Sequence, residues 1–411
     1  MPKIAAASAR TPARTPAGGP AARTPARTPV RTPSWYARPA ARAWTCEPAP
    51  ADVRAFHASL PGYRPTPLTE LPEIAAELGV GRFFVKDESS RLGLPAFKAL
   101  GASWAVHRVL SSRGAGDGAP LRLVTATDGN HGRAVARTAR LLGHRAHVFV
   151  AAGVHPGAVA AIAGEGARVT EVPGVYDDAV RAAEAAAAAP DSVLVQDTAW
   201  PGYEEIPGWI AEGYSTLFAE VDDQLTAAGA GAPSLVAVPV GVGSLAQAAV
   251  THYRGRRSAG GAALLSVEPE NAAGVLHSLL AGRPLTVATG ATTMAGLNCG
   301  TPSSLAWPYL RDGLDAAVTV TDAAGAVAAR ALAAHGVSSG PCGAASLAGL
   351  RAALTGEGAA DRRTELGLGS GAAADAAADS DTATDVGTDV ATDAVVVALS
   401  TEGAAANPHG G

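Results

Sequence analysis

The feature that most constrains this chain is a rhythm of nine short, largely apolar runs of four to six residues: Arg82–Lys86, Leu121–Thr125, His147–Val150, Ala167–Val172, Val193–Gln196, Leu235–Val240, Leu264–Glu268, Ala317–Val320 and Ala394–Leu399. Ala-rich stretches of helical character, such as Asp177–Ala189 and Ala323–His335, lie between several of them. A strand that is apolar on both faces has to be covered on both. A helix between successive strands is the connection that parallel pairing needs. The expected fold is therefore α/β, a mostly parallel sheet flanked by helices. The rhythm is not a sequence repeat.

The ends of this pattern read differently. The first forty or so residues repeat "ARTPARTP" and hold no acid before Glu47. Such a stretch has no apolar face to bury, so residues 1–48 are expected to be a disordered Arg/Pro/Thr-rich tail, with order beginning near Pro50. It lacks the apolar centre of a secretory signal, and its prolines oppose the amphipathic helix of a transit peptide. Residues 357–393, mostly Gly, Ala, Asp and Thr, read as a disordered acidic insertion before one last strand.

Composition excludes several classes. With 47% hydrophobic and 17% charged residues and a net charge of −5, the chain has the balance of a soluble globular protein without the basic excess that nucleic acid requires. Apolar stretches are broken well short of the roughly 18 residues of a membrane span. Cys46, Cys299 and Cys342 are too far apart for a disulfide framework or a zinc cluster, and the default compartment is the cytoplasm. Lysine occurs only at Lys3, Lys86 and Lys98, every other strong base being arginine. Lysines that persist in such a chain either survive by chance or do what a guanidinium cannot, such as forming a Schiff base.

Four stretches carry chemistry. "LGLPAFKALGAS" sets Lys98 among small and apolar residues at the start of a helix. It is either a lysine snorkelling from a helix face or an amine whose pKa is lowered by burial. "PVGVGSLAQAAV" follows a strong strand and leads into a helix, so Gly241, Val242, Gly243 and Ser244 make either a tight turn or an anion cradle at the helix's positive end. It lacks the third glycine of a dinucleotide fingerprint.

"TATDGNHGRAVA" offers Asn130 for hydrogen bonding and places a carboxylate, Asp128, in a loop otherwise small and neutral. Asp128 is either a helix N-cap or a functional acid. His131 has no partner at metal-ligand spacing, and a structural role is preferred; no metal is expected. "VQDTAWPGYEEIPGWIAEGYSTL" puts Asp197 at a strand end, where parallel sheets bind ligands, and leaves Glu204 and Glu205 as surface charges. A lysine, an anion cradle, an Asn-bearing loop and a Ser/Thr pair after the last strand together suit a phosphorylated aldehyde cofactor, pyridoxal 5′-phosphate (PLP).

On these residues the chain resembles the diaminopropionate ammonia-lyases, a family of fold-type II PLP enzymes. "VQDTAWPGYEEIPGWIAEGY" and "MAGLNCGTPSSLAWPYLRDGLDA" separate it from threonine deaminases and serine racemases, which share only the lysine and Asn-loop patterns. The resemblance implies two open, twisted sheets with the cofactor between two domains. The large one comprises residues 49–97, 197–356 and 394–403, and the small one residues 98–196.

It further implies that Lys98 forms the Schiff base, Asn130 bonds the ring hydroxyl, Gly241 to Ser244 hold the phosphate, and Ser400 or Thr401 faces the pyridine nitrogen. Asp128 and Lys98 become bases on opposite faces of the substrate, and Asp197 recognises its β-amino group. The implied reaction turns 2,3-diaminopropionate, a small amino acid, into pyruvate and ammonia, and the implied assembly is a homodimer. Two rivals remain: another β-elimination or β-replacement on a serine- or cysteine-like amino acid, and a non-catalytic binding protein on the same fold. Two departures from the family stand out. Gly274 replaces a cysteine able to pair with Cys299, and Pro341 in "VSSGPCGAAS" occupies an otherwise acidic position.

Overall fold

Side-chain alternation sets the layering. In the strand Leu235–Pro239, Val236 and Val238 belong to one apolar core and Leu235 and Ala237 to another; in Val395–Ser400, Val395, Val397 and Leu399 are likewise opposed to Val396 and Ala398. Successive residues of a strand point to opposite faces, so a strand apolar throughout feeds two cores at once. The computed structural model describes residues 34–113, 119–127, 129–255, 261–369 and 393–406. Within them the strands are β1 (Trp35–Ala37), β2 (Leu68–Glu70), β3 (Arg82–Asp87), β4 (Arg122–Ala126), β5 (Arg145–Ala151), β6 (Arg168–Val172), β7 (Ser192–Leu194), β8 (Leu235–Pro239), β9 (Ala263–Pro269), β10 (Ala316–Val320) and β11 (Val395–Ser400).

They form two sheets. The larger has the order β1-β10-β9-β8-β11-β3-β2 and the smaller β6-β5-β4-β7. Every pair in the smaller sheet is parallel, as are the five inner strands of the larger, whose edge strands β1 and β2 run antiparallel. All nine sequence-expected strands are present; β1 and β2 are additions. Both are three residues long and carry too little periodicity to announce themselves. All strands of the smaller sheet come from residues 122–194, and both sheets belong to one compact unit. The helix Pro341–Leu354 packs across β8, β9, β10 and β11 on one face of the large sheet, while helices Lys98–Ser112, Ser215–Ala227 and Ser244–Arg254 contribute to the core on the other.

Two boundaries differ from expectation. Order begins inside the stretch 1–48 assigned to a tail: β1 pairs with β10, Trp35 Nε1 donates to Glu365 at 2.8 Å, and Arg42 pairs with Asp315 at 2.7 Å. The aromatic pair Trp35–Tyr36 packs against the two cores, as the Arg-Thr-Pro repeat before it could not. Residues 1–33 lie outside the described residues. The stretch 357–393 also starts with structure, the helix Ala359–Glu365. Leu366 and Leu368 after it are buried, and the buried Arg363 donates to the carbonyls of Leu78 at 2.9 Å and Leu354 at 3.2 Å. Residues 370–392 lie outside the described residues.

The topology gathers the chemistry-bearing stretches. β11 lies between β8 and β3, parallel to both. The C-terminal ends of these three strands lead into Gly241–Ser244, Ser400–Thr401 and the segment running to Lys98, at the edge where parallel sheets bind ligands.

Candidate active site

Lys98 opens its helix, and a close crossing fixes where that helix lies. A Cβ on Gly101 would fall 2.8 Å from the Ile210 carbonyl oxygen, and one on Gly213 would fall 2.7 Å from the Leu100 carbonyl oxygen, so the helix Glu205–Gly213 approaches to backbone contact. Upstream, the Phe97 amide donates to Thr401 at 3.1 Å, tying the lysine to the end of β11. Lys98 Nζ donates to Asp197 Oδ2 at 2.8 Å. Burial presses the ammonium toward neutrality, but Asp197 outweighs it and holds Lys98 above its ordinary pKa. This corrects the expectation of a lysine lowered by burial, which left out the carboxylate that folding brings beside it. Burial likewise opposes the Asp197 carboxylate, but the Lys98 ammonium, which also donates a hydrogen bond to it, keeps it below the usual range. Tyr214, also adjacent, is pushed up to about 12 by burial.

Asn130 begins the helix Asn130–Leu141, and its Nδ2 donates to Glu402 Oε2 at 2.7 Å. Thr127 Oγ1 accepts from the amides of Gly129 and Gly132 at 3.0 and 3.2 Å, so a hydroxyl caps the helix start. Asp128 lies outside the described residues. Glu204 and Glu205 are exposed, in accord with surface charges.

The loop Gly241–Ser244 has the form of an anion cradle. Gly243 adopts φ +104°, a left-handed conformation that favours glycine, and its missing Cβ would meet Leu310 at 2.6 Å. Ser303 N donates to the Val242 carbonyl at 2.8 Å, holding the loop from behind. Among the described residues no acceptor takes the amides of Gly241, Val242, Gly243 or Ser244, which sit at the positive end of the eleven-residue helix Ser244–Arg254. A Cβ on Gly241 would lie 3.1 Å from Cys299 Sγ, and Cys299 also belongs to the electrostatic surroundings of Lys98, so cradle and lysine share a neighbour.

At the end of β11, the buried Ser400 hydroxyl donates to Ser339 Oγ at 2.8 Å. The turn at Ser339 and the start of the helix Pro341–Leu354 therefore lie against this strand end, where a Cβ on Gly343 would be 2.9 Å from Thr401 N. An amine, a row of unclaimed amides at a helix start, an amide side chain and a strand-end hydroxyl match the aldehyde, phosphate, ring hydroxyl and ring nitrogen of PLP in chemical type.

Sequence reasoning singles out Lys98, Asp197, Asn130, Gly241 to Ser244, Ser400 and Thr401, all found at this edge; it gives His131 a structural role and passes over three neighbours, Tyr214, Ser339 and Glu402. Glu402 is buried, its pKa raised by burial, and it accepts from the Cys342 amide at 3.4 Å as well as from Asn130. Its signal was present, an acid directly after the strand-end hydroxyls. Position 274 adjoins Cys299 as expected, since a Cβ there would lie 3.3 Å from the Cys299 carbonyl oxygen, and Cys299 forms no disulfide.

A family model described as pyridoxal-phosphate dependent enzyme matches residues 59–366. A diaminopropionate ammonia-lyase of Salmonella typhimurium is 39% identical over 292 residues, covering 66% of this chain and 72% of that protein. A crystal structure of Escherichia coli diaminopropionate ammonia-lyase in complex with an aminoacrylate-PLP azomethine reaction intermediate is 34% identical with a TM-score of 0.74, over 87% of this chain and 89% of that one. The same Escherichia coli enzyme in complex with D-serine gives 32% identity and a TM-score of 0.75, with the same coverage.

Proposed function

The chain belongs to the pyridoxal-phosphate dependent enzyme family, and within it to the diaminopropionate ammonia-lyases; on that premise we propose how its residues convert 2,3-diaminopropionate to pyruvate and ammonia. It is a PLP-dependent carbon–nitrogen lyase of fold type II. The observation that carries the assignment of residues is the 2.8 Å contact between Lys98 and Asp197 beside the anion cradle.

Bound PLP supplies an aldehyde that condenses with amines and a ring that draws electrons from the substrate α-carbon. Lys98 is the amine that would hold it, Gly241, Val242, Gly243 and Ser244 would bind the phosphate, and Asn130, oriented by Glu402, would bond the ring hydroxyl. Ser400, tied to Ser339, with Thr401 next to it, faces the ring nitrogen as a neutral partner. Lys98 takes the α-proton from one face. Asp128 takes it from the other, a role that rests on the sequence alone. Asp197 binds the β-ammonium and keeps the proton on it, so that when the Cβ–N bond breaks its electron pair leaves with ammonia. Hydrolysis of the 2-aminoacrylate that remains yields pyruvate and the second ammonia.

No helix among the described residues is long and apolar enough to cross a membrane, and our reading is of a cytoplasmic homodimer. The deciding experiment incubates the purified protein and PLP with D- and L-2,3-diaminopropionate and measures pyruvate and ammonia. Release from neither enantiomer overturns the proposal. A panel including serine and cysteine tests a second reading, β-elimination or β-replacement on such substrates, which the position of the Pro341 loop against Ser400 favours.

A further inference from the structure

A buried acceptor without a donor is costly, and one of these lies in this site facing another acceptor. The His131 ring is only 4% exposed. Its Nε2 is 2.7 Å from the Val195 carbonyl oxygen, which can only accept, so Nε2 carries the proton and donates it. Burial favours the neutral ring, leaving Nδ1 a lone-pair acceptor. Among the described residues Nδ1 has no hydrogen-bond partner, and 3.8 Å away lies Asp197 Oδ2. The same oxygen receives the Lys98 ammonium at 2.8 Å. In the chain alone, a primary ammonium already sits on this carboxylate.

We propose that Asp197 Oδ2 and His131 Nδ1 form a two-acceptor cradle for the β-ammonium of the substrate, which makes His131 a specificity-determining residue. The proposal rests on the diaminopropionate reading and deepens it. An ammonium presents three N–H donors and serves both acceptors together. A hydroxyl at the same carbon carries one hydrogen and leaves one acceptor buried and unpaired, the mismatch by which polar sites discriminate most strongly. Lys98 committed to the cofactor's aldehyde would no longer place its ammonium on Asp197, and the place would be free. A cradle that distinguishes an amine from an alcohol needs a second acceptor, and His131 supplies it.

Two measurements on the holoenzyme test this. His131→Gln keeps a side-chain N–H able to reach Val195 while removing the ring Nδ1. We expect kcat/KM for 2,3-diaminopropionate to fall about 10–100-fold, as for loss of a hydrogen bond to a charged group, with the inhibition constant of D-serine changing less than about threefold. Equal weakening of both, or no change in either, overturns the cradle.

The second is nitrogen-15 NMR of histidine-labelled wild type, titrated with ammonium chloride against potassium chloride at equal ionic strength. The His131 Nδ1 resonance is expected to move with ammonium and to stay put with potassium; no response to ammonium overturns the proposal. If wild type releases no pyruvate from diaminopropionate while Nδ1 still responds, the activity reading fails and the ammonium cradle stands.

Discussion

Lys86 and Lys98 are near neighbours in sequence, both in the folded body, and their surroundings are opposites. Lys86 is fully buried, and its three N–H groups go to Thr66 O at 2.8 Å, Glu220 Oε2 at 2.6 Å and Gln224 Oε1 at 2.8 Å. Arg91 completes the cluster, donating at 2.7 Å to both Glu88 Oε1 and Glu220 Oε1. Two cations and two carboxylates close on themselves. Around Lys98 one carboxylate receives the ammonium, and His131 Nδ1 finds no hydrogen-bond partner among the described residues. A buried cluster with every valence filled braces; one with valences open has room for a ligand.

The pKa shifts alone would favour Lys86 over Lys98 as the reactive lysine. Burial lowers Lys86 despite its carboxylates, whereas Asp197 raises Lys98. The two clusters also cooperate. Arg91 anchors the turn in which Leu92 adopts φ +51°, and Arg137 Nη1 donates to the Leu92 carbonyl at 3.0 Å. A left-handed branched residue costs on the order of 1–3 kcal/mol and persists only where its surroundings dictate it. The closed cluster thus holds the segment that delivers Lys98.

The contrast breaks most visibly at Lys98 itself. Lys98→Ala should abolish the borohydride-reducible cofactor link, detected by mass spectrometry, and lower turnover by more than the roughly 10²–10⁴-fold that a positioned acid or base contributes. Lys86, with its donors committed, cannot replace it. A reducible adduct on Lys86 in that variant would erase the distinction.

Asp128 tests the open cluster from the other side. If it is the base on the face opposite Lys98, Asp128→Asn should cut kcat/KM for one enantiomer, expected to be D, by about 10²–10⁴-fold and spare the other. Asn caps helices about as well as Asp, and Thr127 already accepts from the Gly129 and Gly132 amides. Equal, small losses on both enantiomers would remove Asp128 from the catalytic set.

The closed cluster should show itself in stability. Glu220→Gln leaves Lys86 and Arg91 short of a carboxylate, and losing one partner of a buried pair costs about 3–5 kcal/mol, measurable by denaturant unfolding. Burial opposes the charge on Glu220, but Arg91 and Lys86 prevail and lower its pKa from 4.5 to about 2. A depressed carboxylate stabilises the fold fully above its unfolded pKa and loses that contribution as pH falls through its folded value. Wild-type stability should therefore decline from about pH 4.5 toward 2, and Glu220→Gln should flatten that decline. An unchanged acid limb would mean that Glu220 is not the responsible group.

How far the sequence reveals each cluster follows from the same contrast. The parallel strands and the cradle were legible because each is a local pattern: an apolar run, then glycines, then a helix. Lys98 and Asp197 were legible as residue types out of keeping with their neighbourhoods. Their pairing was not, because the two meet only when the turn after β7 is brought beside the start of the helix Lys98–Ser112. His131 and Glu402 acquire meaning from partners at Val195, Asp197 and Asn130 that no spacing rule connects. The Lys86 cluster was invisible for that reason too, since Glu220 lies on a distant helix and reads there as an ordinary surface acid.

The smallest expected effect separates two truncations. Removing residues 1–33 takes away the Arg-Thr-Pro repeat, which has no apolar face to bury, and should leave cofactor content and unfolding midpoint unchanged. Extending the deletion through Trp44 removes β1, the Trp35–Glu365 hydrogen bond and the Arg42–Asp315 pair. Asp315 is fully buried as a side chain and keeps Arg254 at 2.5 Å and the Leu264 amide at 2.8 Å. It is therefore weakened rather than orphaned, and the loss should be about 1–3 kcal/mol, the scale of one compromised buried polar group. The exposed edge of β10 adds a second consequence, a template for pairing with other chains. The longer truncation should lower the unfolding midpoint and increase aggregation on heating, followed by light scattering, while kcat of the folded fraction stays near wild type. A shorter truncation that behaves the same way would move the start of the folded body upstream of Ser34.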